Sequence, residues 1–375
     1  MCMEHISRKL AERKAHNALR RLQVRDFAVD FYSNDYIGFS ASDELRGLSS
    51  MILEGYKQAN GATGSRLLSG NAPIFEDTEA YIAGAHKAEA ALLYNSGYDA
   101  NVGFFSCILQ RGDVLLYDSY SHASIRDGIS LSQAQSYKFR HNDLDHLEAL
   151  LQKFAGGGKS VLIATESVFS MDGDSPDLLR MCELASQYGA HIAIDEAHAI
   201  GVFGENGSGL VQALGLEDRV LARIVTFGKG LGAHGAAVVS TKEVKEYLVN
   251  FSRSFIYTTA MAPHAVATIL AGYQLLRTTT ASEALKGNIH YFKSELEKRQ
   301  LPRFIPSESA IQAVVLSGND YVKGVATQLQ AKGLGVLPIL SPTVPKGEER
   351  LRVCLHSYNT MQEIDLLIDT LSKAV

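Results

Sequence analysis

Short apolar segments that alternate with helix-like segments between residues 75 and 240 constrain the fold more than any other feature of this chain. The apolar segments lie near 90–94, 114–117, 160–165, 191–195, 221–226 and 236–240, and the helix-like segments lie near 75–86, 97–110, 122–132, 143–154 and 176–188. Strands that are apolar on both faces must be covered on both faces, and such an alternation is typical of a mostly parallel sheet. The sequence therefore predicts an α/β domain with helices on both faces of its sheet.

The pattern changes after Pro263. Longer helical segments are predicted near 263–279, 282–300, 320–332 and 359–373, with strands near 311–316 and 350–355. Before the alternating region, a charged amphipathic helix is predicted over 4–22, with Arg20 and Arg21 at its C-terminal end, where the helix dipole favours cations. These changes predict an N-terminal helical arm over 1–37, a large α/β domain over 38–264 and a smaller C-terminal α+β domain over 265–375.

The composition is that of an ordinary globular protein, with 375 residues of which 46% are hydrophobic and 21% charged. A formal net charge of −5 gives no electrostatic reason to expect nucleic acid or an anionic membrane as a partner. No segment reaches about 18 uninterrupted apolar residues, so the cytoplasm is the expected location. Cys2, Cys107, Cys182 and Cys354 have no zinc-ligand spacing, and no metal site is predicted.

A lysine between glycines follows one of the apolar segments. The stretch from Ile224 to Gly235 reads Ile-Val-Thr-Phe-Gly-Lys-Gly-Leu-Gly-Ala-His-Gly, and the glycines beside Lys229 would let a planar molecule lie against its amine. A lysine of this kind is also common as a solvated residue in a turn. However, Asp195 and His198 follow another apolar segment, and the carboxyl ends of strands in an open α/β sheet meet at one crevice. The three residues together predict a catalytic site with a Schiff-base lysine.

Further motifs occur in a fixed order along the chain. They are Tyr-Ser-Asn-Asp-Tyr-Ile-Gly at 32–38, Asn-Ser-Gly-Tyr at 95–98, Ser-His-Ala-Ser at 121–124, Glu-Ser-Val-Phe-Ser-Met-Asp-Gly at 166–173, Asp-Glu-Ala-His at 195–198, Ile-Tyr-Thr-Thr at 256–259 and Pro-Thr-Val-Pro at 342–345. With these motifs, from about residue 20 to about residue 365, the chain resembles the α-oxoamine synthases, which are fold-type I enzymes carrying pyridoxal 5'-phosphate.

The resemblance implies roles for the cofactor residues. Lys229 would hold pyridoxal phosphate covalently, Asp195 would pair with the ring nitrogen, and the ring of His122 would lie against the face of the cofactor. The remaining contacts that it implies are those of His198 and Ser170 with the phenolic oxygen, of Gly97, Tyr98 and Thr226 with the phosphate, and of Thr258 or Thr259 with the phosphate in the other subunit of a homodimer.

The resemblance also implies substrate contacts. Arg352 would grip the substrate carboxylate as a bidentate fork, although an arginine in a strand often only faces solvent. Arg20 would lie at the substrate pocket, although the arm could also be simply solvated. Asn34 and Thr343 complete the implied set.

The implied reaction joins an α-amino acid to an acyl thioester with loss of carbon dioxide. The expected pair is L-alanine and a pimeloyl thioester, carried by coenzyme A or a carrier protein, as in biotin synthesis. Glycine acetyltransferases, serine palmitoyltransferases and 5-aminolevulinate synthases share the lysine machinery and remain alternatives, and an aminotransferase is a more remote one. The segment after Arg21 is shorter than the resemblance predicts, and Leu340 lies where an arginine is expected, so the acyl group stays open.

Overall fold

The computed structural model describes residues 3–56, 59–301 and 304–375. Its strands are β1 (Val29–Asp30), β2 (Ala90–Tyr94), β3 (Val114–Asp118), β4 (Gln135–Phe139), β5 (Val161–Glu166), β6 (His191–Asp195), β7 (Ala222–Thr226), β8 (Ala236–Ser240), β9 (Ile311–Val315), β10 (Leu334–Gly335), β11 (Leu337–Ile339) and β12 (Arg350–Cys354). Its α-helices are α1 (Glu4–Ala15), α2 (Asp43–Glu54), α3 (Pro73–Ala85), α4 (Gly97–Cys107), α5 (Ala123–Leu131), α6 (Leu144–Phe154), α7 (Leu178–Tyr188), α8 (Leu210–Ala213), α9 (Lys242–Phe251), α10 (Arg253–Ile256), α11 (Pro263–Leu276), α12 (Ala281–Lys298), α13 (Asn319–Gln330) and α14 (Met361–Ala374).

Two compact units divide the described residues. The larger unit contains 35–170 and 175–282, and the smaller unit contains the segments up to Asn34, 171–174 and 283–375. The sequence predicted boundaries near 37 and 264, whereas α11 belongs to the larger unit because it packs against α2 and α3. Most side chains of α11 are buried, so this helix is part of the core of the larger unit.

The larger unit is built on a sheet of the predicted type. Among the described residues, seven strands pair in the order β2-β8-β7-β6-β5-β3-β4. The pairs from β4 to β7 are parallel, and only β8 runs against its two neighbours. This arrangement confirms the mostly parallel sheet and brings the ends of β5, β6 and β7 to one edge.

Apolar side chains on both faces of the sheet explain its two helical layers. Alternate residues such as Leu115, Leu162 and Ile224 pack in one core cluster with α4, α5 and α9. Their neighbours in sequence, such as Leu116 and Ile163, pack in a second cluster with α6 and α7. Burying a leucine or isoleucine side chain contributes about 1.5–3 kcal/mol, so both layers are needed to cover strands of this composition.

Three local predictions need correction. The first helix ends at Ala15 instead of residue 22, because Asn17 adopts a left-handed φ of 50° and bonds through its side chain to Asp320 of α13. Arg20 and Arg21 therefore lie beyond the helix. Strand β4 was missed because its only fully buried side chain is Phe139, as is common for a polar edge strand. The short elements α8, α9, α10, β1, β10 and β11 were also missed.

The smaller unit has the predicted α+β character. Strands β11, β12 and β9 form an antiparallel sheet, and β1 pairs with β10 in parallel. Helix α14 begins with a capping box, in which the Thr360 side chain accepts from the Glu363 N–H and the Glu363 side chain accepts from the Thr360 N–H. None of the helices within the described ranges combines the length and the apolar character needed to cross a membrane.

Candidate active site

Three polar side chains lie at the ends of adjacent strands of the larger unit. Asp195 ends β6, Glu166 ends β5 directly opposite it in register, and Thr226 ends β7. Parallel strands deliver their last residues to the same edge, which is the usual ligand site of such a sheet. The sequence prediction that Asp195 lies at this edge is therefore confirmed.

The carboxylate of Asp195 is buried and held at both oxygens. The side-chain amide of Asn101 in α4 donates to Oδ2 at 2.7 Å, and the Ala197 N–H donates to Oδ1 at 2.9 Å. Asp195 is only 6% exposed, so the orientation of its carboxylate group is fixed by the surrounding protein and not by water. Sequence reasoning missed Asn101, whose only signal was its place one turn inside the helix that follows Asn-Ser-Gly-Tyr.

His122 is the N-cap of α5 and lies next to the same carboxylates. Its Nδ1 accepts from the Ser124 N–H at 3.3 Å and lies 2.7 Å from Ser124 Oγ, while its own backbone N–H donates to Glu166 Oε1 at 2.6 Å. Partial burial lowers the pKa of His122; Asp195 opposes this shift and the Lys229 cation adds to it. The neutral ring is thus favoured, which suits stacking against a planar ligand.

Glu166 completes the acidic end of the sheet. It is 3% exposed, and its burial and the neighbouring Asp195 raise its pKa well above the ordinary value, opposed by the His122 N–H and by Lys229. Two carboxyl groups at adjacent strand ends do not both ionise readily. Sequence reasoning gave this residue no role, although its place at the end of an apolar strand was a usable signal.

His198 is buried three residues beyond Asp195. Its Nδ1 lies 2.6 Å from the hydroxyl oxygen of Tyr36, which is fully buried. This hydrogen bond fixes the orientation of the imidazole ring. Tyr36 belongs to the motif at 32–38, but its contact with His198 depends on the fold and was not predicted.

Lys229 is half-buried in the turn after β7, and its glycines have packing reasons. A Cβ at Gly230 would lie 2.2 Å from the carbonyl oxygen of Ile200, and one at Gly232, where φ is 63°, would lie 2.3 Å from the Ser40 nitrogen. The glycines therefore permit a close approach of backbone segments around the lysine. The cation of Lys229 acts to lower the pKa of both His122 and Glu166.

The N-terminus of α4 lies against the end of β7. Ser96 is its N-cap, and a Cβ at Gly97 would lie 2.3 Å from Thr226 Oγ1, so a larger residue there would require the Thr226 side chain to move. The first-turn N–H groups of a helix have no intrahelical acceptor, and they bind anions such as phosphate. The half-buried Thr226 and the turn at Gly97 and Tyr98, which are the predicted phosphate residues, are thus close together.

The structure gives less direct support for the remaining predicted cofactor residues, Thr258, Thr259 and Ser170. The Asn95 side chain donates to Thr258 Oγ1 at 3.0 Å and to the Thr259 carbonyl at 2.9 Å, so both threonines are tied to the segment before α4 of their own chain. Their assignment to a neighbouring subunit rests on the resemblance alone. Ser170 is half-buried four residues beyond the end of β5.

Within the smaller unit, the four predicted substrate residues form two pairs. Arg352 of β12 donates to Asn34 Oδ1 at 2.6 Å, and Arg20 donates to Thr343 Oγ1 at 3.0 Å. The first pair is half-buried and the second is exposed. Each arginine is therefore oriented by a neutral oxygen and carries a charge suited to a carboxylate.

The family model for class I and II aminotransferases matches residues 29–371 of this chain. The 8-amino-7-oxononanoate synthase of Emericella nidulans is 39% identical over 99% of this chain and 95% of its own length. The enzyme of that name from Chlorobaculum parvum is 40% identical over 92% and 88%, respectively. The chain belongs to the α-oxoamine synthases, within the class I and II aminotransferase family.

Solved structures agree with this membership. The serine palmitoyltransferase of Sphingomonas wittichii matches this α-oxoamine synthase with a TM-score of 0.91 and 26% identity, covering 100% of this chain and 98% of the other. The 8-amino-7-oxononanoate synthase of Francisella tularensis has a TM-score of 0.77 and 28% identity, covering 92% and 97%. The predicted fold-type I architecture is thus confirmed.

Pyridoxal phosphate is the cofactor of this α-oxoamine synthase, as it is in solved serine palmitoyltransferase structures. The residues present fit it, because the edge of the sheet offers a buried carboxylate, a lysine, a histidine ring and a helix N-terminus at Gly97 that lies directly against the Thr226 hydroxyl. The chain is therefore a pyridoxal-phosphate-dependent acyltransferase.

Proposed function

We propose that this enzyme condenses L-alanine with a pimeloyl thioester, releasing carbon dioxide and the free thiol and forming 8-amino-7-oxononanoate. The observation that carries the proposal is the set of relatives that share this name at 35–40% identity over most of their length. Formation of a carbon–carbon bond at the α-carbon of alanine requires a base, an electron sink and a carboxylate clamp, and each has a candidate in this chain.

Lys229 is the base and the residue that holds the cofactor. Pyridoxal phosphate, when bound, supplies the sink for the electron pair at the α-carbon. The amine of Lys229 would hold the cofactor and would also serve as the base that takes the proton from that carbon. Asp195, as an anion held at both oxygens, favours the protonated form of the ring nitrogen. His198 and Ser170 would contact the phenolic oxygen, the neutral ring of His122 would stack on the cofactor, and Thr226, Gly97 and Tyr98 would hold the phosphate.

Arg352 binds the carboxylate of alanine. Its contact with Asn34 fixes one side of the guanidinium, so less side-chain freedom is lost when the substrate arrives. The carboxylate later leaves as carbon dioxide, and a hydrogen-bonded clamp can orient the group without retaining it. Because this role needs only an α-amino acid, Arg352 does not choose between alanine, glycine and serine.

Arg20 binds the distal carboxylate of the pimeloyl group, and Thr343 positions it. The pair is exposed and can be reached by a long acyl chain, and its cation suits a dicarboxylic donor better than palmitate. The thiol carrier is either coenzyme A or a carrier protein. The enzyme acts as a cytoplasmic homodimer in which Thr258 or Thr259 reaches the phosphate of the neighbouring subunit.

The test is thiol release with alanine, glycine or serine and with pimeloyl, acetyl, succinyl or palmitoyl thioesters. Alanine with a pimeloyl donor should be the best pair. Arg20→Ala should raise the KM for that donor by roughly 10–100-fold, as expected for a lost charged hydrogen bond, with little change in the KM for alanine. The exposed neighbour Arg21→Ala is the matched control and should behave like the wild type. A tenfold preference for another pair would refute the named activity and leave the family membership intact.

A further inference from the structure

The side chain of Asn101 makes its hydrogen bonds to residues of the candidate site and not within its own helix. It lies in α4, is 1% exposed, and both protons of its amide are used: one bond goes to Asp195 Oδ2 at 2.7 Å and one to Ser124 Oγ at 3.0 Å. An ionised carboxylate only accepts hydrogen bonds, so the amide nitrogen must face Asp195. The orientation of Asn101 is thus determined by Asp195.

The other end of the same amide is not satisfied. Asn101 Oδ1 is buried and has no hydrogen-bond partner among the described residues. A buried unsatisfied carbonyl is unfavourable, whereas a leucine of similar size at this position would leave none. The hydrogen bonds that Asn101 donates, and not the space that it fills, therefore explain why this position holds an amide side chain.

The hydrogen bonds from Asn101 continue to His122. Ser124 Oγ accepts from Asn101, and it lies 2.7 Å from His122 Nδ1, which already accepts from the Ser124 N–H. An Nδ1 that accepts from a backbone N–H carries no proton, so the Ser124 hydroxyl donates to it and the ring proton lies on Nε2. Helices α4 and α5 come close enough for this contact because Gly128, one turn after Ser124, has no side chain. A Cβ at Gly128 would lie 2.9 Å from the backbone carbonyl oxygen of Asn101.

We propose that Asn101 is a positioning residue that holds the carboxylate of Asp195 and, through Ser124, the ring of His122 in one fixed arrangement. The two groups that would meet the ring nitrogen and the face of the cofactor are then oriented by a single side chain. Charged and titratable groups around this centre are Glu166 on β5, Asp195 on β6, Lys229 after β7 and His122 on α5, and Arg126 and Asp127 also act on His122.

The test measures the binding of pyridoxal phosphate by absorbance, together with the pH dependence of its absorption in the bound state. Asn101→Leu should weaken cofactor binding by roughly 10–100-fold, as expected for a lost hydrogen bond to a charged group, and should move the midpoint of the absorption titration. The matched control is Asn359→Leu in the smaller unit, another buried asparagine with side-chain bonds to backbone groups. It should lower the melting temperature and change neither cofactor measurement.

Asn101→Asp provides a second signature, and it decides the question if the leucine variant does not fold. Only a protonated carboxyl group can donate to Asp195, so cofactor binding in this variant should be near that of the wild type at low pH and should weaken, relative to the wild type, as pH rises. Wild-type binding and titration in Asn101→Leu, or a wild-type pH dependence in Asn101→Asp, would overturn the proposal. Because no acyl donor is used, these results are independent of the pimeloyl activity.

Discussion

Replacing Asp195 by asparagine tests the electrostatic core of the site with a nearly unchanged side-chain shape. In the folded protein both carboxylate oxygens accept, one from Asn101 and one from Ala197. An asparagine has only one acceptor oxygen, and its NH₂ group would face whichever donor remains. The variant therefore loses the negative charge and one buried hydrogen bond together.

The expected magnitude follows from these contacts. A hydrogen bond to a charged group is worth about 1.5–3 kcal/mol, and each unit by which the anion raises the pKa of the ring nitrogen is worth about 1.4 kcal/mol. If roughly 3–4 kcal/mol of this stabilisation is expressed in the transition state, kcat falls by on the order of 10²–10³. Only the hydrogen-bond part affects folding, so the free energy of unfolding should fall by about 1–3 kcal/mol.

The assay is steady-state thiol release, with unfolding measured in parallel on the same preparations. Glu79→Gln is the control, because Glu79 is another buried carboxylate of the larger unit, paired with Arg66 and Lys245. That variant should lose stability and keep most of its turnover. If Asp195→Asn kept a kcat within about threefold of the wild type, the assignment of the ring-nitrogen partner would be wrong.

Three further results are expected. Borohydride should fix the cofactor on Lys229, and Lys229→Ala should abolish this label while Lys159→Ala keeps it; a labelled peptide containing Lys159 would contradict the assignment. Burial raises the pKa of Glu196 to about 7, compared with an ordinary value of 4.5. Between these two pH values the folded state keeps a proton that the unfolded state has released. The free energy of unfolding therefore falls as pH rises from about 4.5 to about 7. In Glu196→Gln this decrease in the free energy of unfolding, on the order of 3 kcal/mol, should be absent when denaturation is measured at several pH values. A pH dependence of the unfolding free energy equal to that of the wild type would count against a buried acid at this position. Sedimentation should show a homodimer at assay concentrations, because Thr258 or Thr259 is assigned to the neighbouring site, and a fully active monomer would refute that assignment.

The order and type of most elements could be predicted from the sequence. The strands of the central sheet are apolar on both faces, and such segments have few alternatives to a covered parallel sheet. The exceptions have separate causes: β4 is a polar edge strand, and the first helix ends early because Asn17 is held by Asp320. A contact more than 300 residues away in sequence leaves no local pattern.

The chemical residues were found because the strand ends and the glycine-flanked lysine are local features. Lys229, Asp195 and His198 each follow an apolar strand, and motif order was sufficient to indicate the family. Their supporting partners were not visible in this way. Asn101 and Tyr36 reach Asp195 and His198 across 94 and 162 positions, respectively.

The sequence by itself thus predicted the type of fold, the cofactor and three charged residues of the candidate site, Lys229, Asp195 and Arg352, but not Glu166. The tertiary structure decided which side chains orient those charges: Asn101 holds Asp195, Tyr36 holds His198, and Asn34 holds Arg352. The physical reason is that sequence patterns and tertiary hydrogen bonds act over different distances along the chain. Hydrophobic periodicity and turn chemistry act over a few neighbouring residues, whereas a hydrogen bond joins whichever groups the packed helices and strands bring within about 3 Å.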